Sequence, residues 1–271
     1  MIGKEMTESG AVVELKDVSV RSRDHDVLKH VTASFPRGKS TVVVGPSGCG
    51  KSVLLKTAAG IIPPDSGTVM IEGLNLLRMS EKQLTDFRRR SGFVFQDAAL
   101  WANKTIFENL ALPLQFHFRE LSREEVETRV QRLLQKMELS ESMSLRPSSL
   151  STGERKIVSF LRAQVLNPTI LFLDEPTLSI DSRVVGEMTR TILAHKDADC
   201  SLLTVTHDSG LTSMIADYLV VMSGGRVLTE GAFSEVRQSP DREVQAILSR
   251  VLDQAISYDA DLLELLDGEG Q

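Results

Sequence analysis

The pattern of hydrophobic and polar positions changes period several times along the chain. Residues 12–20 (VVELKDVSV) partly alternate, and so do residues 31–35 (VTASF), so both read as short strands on either side of a polar stretch at 21–26. A small antiparallel sheet is expected there. Pro36, Arg37 and Gly38 turn the chain into 41–44, a β-branched run suited to burial on both faces, which stops at Gly45. Residues 51–59 read as helix, ended by Gly60 and the pair Pro63 and Pro64. Strand 68–71, helix 81–90 and strand 93–95 follow. Alternating β and α segments predict a parallel sheet.

Between 103 and 146 the strand pattern stops. Val126, Val130, Leu133, Leu134 and Met137 recur at helical spacing, with Arg123/Glu127 and Glu125/Arg129 set for i,i+4 pairing on the other face. This predicts a helical insertion. The alternation then resumes with a helix from Ser151, strand 170–173, helix 182–195, strand 202–205, a short helix and strands 219–222 and 226–229. Beyond Gly231 the chain reads as helix, with Val244, Ile247, Leu248, Val251, Leu252 and Ala255 in one stripe that needs a covering surface. A tail at 259–271 follows, acidic at Asp259, Asp261, Glu264, Asp267 and Glu269 and apolar at Leu262, Leu263, Leu265 and Leu266. Either the helix folds back on its own chain with a frayed acidic tail, or the tail reaches across to a second copy or to a cytoplasmic regulator.

The chain has 271 residues, 41% hydrophobic and 25% charged, which is globular and neither collagen-like nor disordered. A net charge of −6 gives no basic excess for nucleic acid, and no nucleic-acid partner is expected. Cys49 and Cys200 are the only cysteines, too few for a disulfide framework. Residues 1–10 carry no apolar core for a signal peptide, and no run reaches the roughly 18 apolar residues of a membrane span. Any membrane role would then run through a partner.

Two motifs carry the chemistry. Gly45, Pro46, Ser47, Gly48, Cys49, Gly50, Lys51 and Ser52 satisfy G-x-x-x-x-G-K-[ST] between a strand and a helix. There the glycines let backbone N–H groups converge on phosphate oxygens, and the helix adds its N-terminal dipole. Lys51 would reach the β and γ phosphates and the Ser52 hydroxyl would ligate Mg²⁺; Cys49 reads as a small filler. The second motif is the strand Ile170, Leu171, Phe172, Leu173 ending in Asp174 and Glu175. Carboxylates at a buried strand end are costly unless they hold a cation or a proton, so Asp174 suits a Mg²⁺ contact and Glu175 suits the base for an attacking water. A guanine-nucleotide reading would want N-K-x-D, which Asn103, Lys104, Thr105 and Ile106 fail.

Together these residues resemble the nucleotide-binding subunit of ATP-binding cassette (ABC) proteins over about 12–231. The resemblance implies an α/β P-loop NTPase (RecA-like) parallel sheet core with a small antiparallel β-subdomain, a helical subdomain at about 97–165 and a C-terminal helical extension at 232–271. It identifies Gln96 with the Q-loop glutamine that senses Mg²⁺, and Leu150, Ser151, Thr152, Gly153 and Glu154 with the signature L-S-G-G-Q. Leu178, Ser179, Ile180 and Asp181 resemble the D-loop, and His207 the switch histidine. It implies ATP and Mg²⁺ as cofactors and catalytic roles for Glu175, His207 and Gln96. It also implies a homodimer in which Ser151 and Gly153 of one copy face the γ-phosphate held by the other, and transmembrane permease partners that hold the chain at the cytoplasmic face of the membrane.

Two departures stand out. Thr152 replaces the first signature glycine, and residues 21–25 offer no aromatic for adenine, so the planar side chain of an arginine or of His25 would stack instead, with Arg21 or Arg23 favoured. The stretch 78–96 (RMSEKQLTDFRRRSGFVFQ), with Ala99, Leu100, Trp101 and the run 107–114 (FENLALPL), is similar to ATPases of Mla and Mce-associated lipid transport. P-L after E-N also occurs in lipoprotein-release, cell-division and amino-acid import cassettes, which stay as alternatives. A cassette that holds ATP without turnover would be expected to lose Glu175 or His207, and both are present. Leu100 and Trp101 would serve a coupling surface only if some of their apolar area is exposed.

Overall fold

The computed structural model describes residues 10–22 and 25–252, less the side chains of 182, 183 and 252. The candidate Arg23, Ala255 and the acidic tail at 259–271 lie outside the described residues.

Strands β1 (Ala11–Ser22) and β2 (His25–Pro36) form one antiparallel hairpin that is longer than the alternating segments alone predicted. Polar residues 21–22 and 25–26 stay in the ladder, with Arg21 opposite Asp26 and Ser22 opposite His25. A strand with one wet face tolerates such residues. β4 (Ser66–Ile71) and β5 (Leu74–Asn75) complete this sheet in the order β2-β1-β4-β5. The strand foreseen at 68–71 therefore joins the antiparallel sheet and not the parallel one, because its Met70 and Val69 pair with Glu14 and Leu15 of β1.

The second sheet contains β3 (Ser40–Val44), β6 (Ser91–Val94), β7 (Ile170–Asp174), β8 (Ser201–Val205), β9 (Tyr218–Ser223) and β10 (Arg226–Ala232), in the order β10-β9-β3-β8-β7-β6. All neighbours are parallel except β10, which pairs antiparallel with β9. The period-2 rule divides these strands between two cores. Val42, Val44, Leu171, Leu173 and Leu202 face one, and Val43, Ile170, Phe172, Leu203 and Val205 face the other. Burial on both faces explains why these segments read as unbroken apolar runs.

One core is closed by α1 (Lys51–Ala58) and the antiparallel sheet. The other is closed by α3 (Ile106–His117), α4 (Arg123–Lys136), α5 (Thr152–Gln164), α6 (Ser182–Asp197), α7 (Ser209–Ile215) and α9 (Arg242–Leu252). Helix α2 (Glu81–Arg90) leads into β6, and the short α8 (Phe233–Val236) follows β10. Val126, Val130 and Leu134 of α4 are buried as the stripe predicted, while Leu133 is only partly buried. Glu125 also differs from expectation. Its carboxylate accepts the Ser122 N–H in a capping box, with the Arg129 charge as a minor addition.

The apolar stripe of α9 is covered by the chain itself. Val244, Ile247, Leu248 and Val251 join the core with Leu211 and Ile215 of α7 and with β3, which for fully buried aliphatic side chains contributes about 1.5–3 kcal/mol each.

Candidate functional site

The site lies at the carboxyl ends of β3, β7 and β8, where parallel α/β sheets place their ligands. β3 runs out at Val44, and Gly45 must pass close to β9: a Cβ on Gly45 would meet the Met222 carbonyl oxygen at 2.3 Å and Cys49 Sγ at 2.9 Å. Gly48, at φ +77°, faces open space into which a side chain would project. Gly50 then caps α1 without any side-chain hydrogen bond, and the first turn of that helix carries no acid. This is a cradle of backbone N–H groups at a positive helix end. Cys49 is buried, and burial pushes its thiol up, consistent with a filler.

Lys51 is 6% exposed and its Nζ donates to the carbonyls of Gly45 (2.7 Å) and Pro46 (3.0 Å), so the ammonium sits inside the loop it stabilises. The Ser52 hydroxyl donates to Asp174 Oδ1 at 2.7 Å. The other oxygen, Asp174 Oδ2, is buried without a hydrogen bond, and Lys56 Nζ approaches it only to 4.0 Å, too long for one. Burial raises the Asp174 carboxyl above the usual range. Ser52 and Gln96 line the cleft and Asp174 does not, but its carboxylate stands behind the Ser52 hydroxyl with one oxygen free of any hydrogen bond, so these side chains offer hard oxygen donors. They fit Mg²⁺, which takes one or two protein oxygens and keeps water for the rest.

Glu175 follows at φ +49°, a left-handed conformation that costs a non-glycine residue roughly 1–2 kcal/mol. Its N–H donates to Val205 O at 2.8 Å, which fixes β7 to β8 at their ends. Its carboxylate accepts the His207 N–H at 3.2 Å, and His207 Nε2 stands 3.6 Å from the other oxygen. The Glu175 side chain is 9% exposed and that of His207 is 49% exposed. Burial raises the Glu175 carboxyl, whereas burial and then the Lys51 charge lower the His207 imidazole. Ser47, Lys51, Ser52, Gln96, Glu175 and His207 line one cleft of about 390 Å³, with Val27 and Leu178 as apolar wall.

The other expected residues fall elsewhere. Ser151 caps α5 with Glu154 in a capping box, and the Thr152 hydroxyl accepts from Arg155 at 3.0 Å. Gly153 lies near the D-loop, where a Cβ would come 3.3 Å from the Ser179 carbonyl oxygen. Ser151, Gly153 and the exposed Asp181 do not line the phosphate cleft of their own chain. Arg21 does not line it either. It ion-pairs with Asp26 at 2.8 Å and faces a separate cavity of about 320 Å³ with Lys29 and Asp65, so the adenine-stacking expectation is not met at Arg21, and Val27 takes the place beside the loop.

Two residues were missed from the sequence. The buried Lys156 ammonium of α5 donates to the carbonyls of Phe95 (3.4 Å) and Gln96 (2.5 Å), and Arg162 donates to those of Ala98 (3.2 Å) and Ala99 (2.9 Å). The signature helix therefore grips the segment that carries Gln96. Lys156 and Arg162 are about one and nearly three turns into an amphipathic helix, where a cation ordinarily reads as solvated, so only the fold exposes them.

Residues 28–178 match the family model described as ABC transporter. The chain belongs to the ABC transporter family. It is an ATPase domain of that family. It is 30% identical over 260 residues to the intermembrane phospholipid transport system ATP-binding protein MlaF of Escherichia coli K12, covering 93% of this chain and 96% of that protein. It is 33% identical to the spermidine/putrescine import ATP-binding protein PotA of Thermotoga maritima over 85% of this chain but only 61% of the relative. Against that longer relative the ABC chain spans less than two thirds of the length. A dimeric ATP-binding cassette solved in a post-hydrolysis state with ADP and Pi superposes with a TM-score of 0.74 at 30% identity, covering 81% of this chain and 98% of the other.

Proposed function

We propose that the chain binds MgATP in the 390 Å³ cleft, hydrolyses it within a dimer of two such cassettes, and thereby drives a membrane transporter whose cargo is a phospholipid. Lys51 and the loop amides would hold the β and γ phosphates. Ser52, Asp174 and Gln96 would hold Mg²⁺, which supplies charge neutralisation of the transferring phosphoryl group. Glu175, desolvated and aimed by its left-handed backbone, would accept the proton of the attacking water. His207, half-exposed and held beside Glu175 through its own N–H, would sit against the γ-phosphate. Ser151, Gly153 and Asp181, absent from the cleft of their own chain, would complete the site of the partner.

A partner in the membrane is supported by an exposed apolar set: Trp101 (56% exposed), Phe116 (60%) and Leu112 (37%). Asn109, fully buried, accepts the Trp101 N–H and donates to the carbonyls of Trp101 and Thr105, which holds this loop ready for a rigid contact. Among the described residues no helix is long and apolar enough to cross a membrane, so attachment at the cytoplasmic face would run through such a permease. The acidic tail, expected to reach a second copy or a cytoplasmic regulator, lies outside the described residues.

The observation that carries the phospholipid assignment is the extent of the MlaF match, which runs nearly end to end in both chains. Sulfate, polyamine and methionine import ATPases reach similar identity, and import is the second reading. The test is purification of the chain with its native membrane subunits, followed by ATPase assay with added phospholipid. Stimulation by phospholipid is expected; stimulation only by a solute-loaded binding protein would favour import.

A further inference from the structure

Helix α9 does more than cover the core. Its apolar side packs on α7, which starts two residues after His207, and on β3, which ends where the phosphate loop starts. The helix thus rests on both arms that bear the nucleotide-facing groups. Its last turn then presents the exposed Arg250 to a second cavity of about 280 Å³, lined by Pro46, Ser47, His207, Arg250, Ile247 and Val251. Ser47 and His207 line this cavity and the nucleotide cleft alike, so the two adjoin at those residues.

The chemistry of the lining is one-sided. Among the described residues no carboxylate borders this cavity, while a guanidinium, an imidazole and a hydroxyl do. No described acid forms an ion pair with Arg250, whose five N–H donors in a fixed fork match a tetrahedral oxyanion. An arginine with no ion pair among the described residues, beside a serine and the backbone of a phosphate-binding loop, is a recognition set for phosphate.

We propose that this cavity is a second oxyanion site, which receives inorganic phosphate as it leaves the nucleotide cleft past His207, with Arg250 as its cationic ligand. The inference rests on the MgATP reading of the cleft. It gives the C-terminal helix a direct part in product release, since any shift of α9 moves Arg250 relative to Ser47 and His207.

The test is titration of inorganic phosphate into the full-length protein with and without saturating MgADP, followed by phosphorus NMR. Arg250→Ala should weaken phosphate binding to the MgADP-loaded protein about tenfold or more, as loss of a charged hydrogen-bonding partner does, and Arg250→Lys should recover most of it. Equal phosphate affinity in the parent and Arg250→Ala, or a parent that binds MgADP and no phosphate, would overturn the site. A parent that fails to bind MgADP would instead defeat the reading of the cleft itself, and the second site with it.

Discussion

Ser52 Oγ and Asp174 Oδ1 are 2.7 Å apart although 122 residues separate them in the chain. That bond fastens the start of α1 to the end of β7 and leaves the second Asp174 oxygen buried without a hydrogen bond. It joins the phosphate loop to the strand whose next residue is Glu175.

Ser52→Ala removes the hydroxyl and leaves both Asp174 oxygens without a hydrogen bond, a loss of about 1–3 kcal/mol at a buried charged acceptor. Affinity for ATP in excess Mg²⁺ should fall at least tenfold, and affinity for ATP in EDTA should fall much less. Equal losses with and without the metal would remove Ser52 from the cation site.

Gly92 sits where α5 crosses β6. A Cβ there would meet the Ala163 carbonyl oxygen at 2.1 Å, so the signature helix must move to admit it. Gly92→Ala should destabilise the fold by about 1–3 kcal/mol, as overpacking does. Urea denaturation measures this, and a change below a few tenths of a kcal/mol would show that α5 shifts freely.

Glu72, at the β4–β5 turn, accepts two hydrogen bonds from Arg90 (3.1 and 2.7 Å) and one from Arg37 (2.7 Å), and Arg90 chiefly holds its carboxyl down at about 2. Because its folded value lies below its unfolded one, the stabilisation is complete above about pH 4.5 and is lost as pH falls towards about 2. Glu72→Gln should therefore cost roughly 1–3 kcal/mol at pH 7, and the gap to the parent should narrow below pH 4.5. Denaturation midpoints at pH 7, 5 and 3.5 check this, and a gap independent of pH would refute it.

Much of this arrangement is legible in the sequence because its signals are local. The runs at 41–44, 170–173 and 202–205 are apolar since both faces are buried, and Gly45 to Ser52 are needed within one turn. The sheet to which 68–71 belongs was not legible, because partner choice depends on β1, some fifty residues earlier. Arg21 misled for a similar reason: its hairpin partner Asp26 is set by register, not by composition. Lys156 and Arg162 carry no mark in a sequence of helical pattern, and their carbonyl partners come from the loop after β6.

Acidification should silence the site from Glu175. Burial raises that carboxyl, so the unprotonated base is lost at a higher pH than an ordinary carboxylate would be, while His207, lowered by burial and Lys51, stays neutral at pH 7. The acid limb of kcat/KM for ATP should thus lie above the usual carboxylate range near 4–4.5. A rate that holds level from pH 8 down to 4.5 would contradict the placement of the base at Glu175.

The claim that Glu175 serves as base within a two-copy nucleotide site is tested most directly by one variant in one instrument. Full-length Glu175→Gln with MgATP should hydrolyse at least a hundredfold more slowly, as loss of a general base does, while retaining the nucleotide and eluting as a dimer in light-scattering chromatography. A variant that hydrolyses ATP at the parent rate, or that binds MgATP and remains monomeric, would contradict the account.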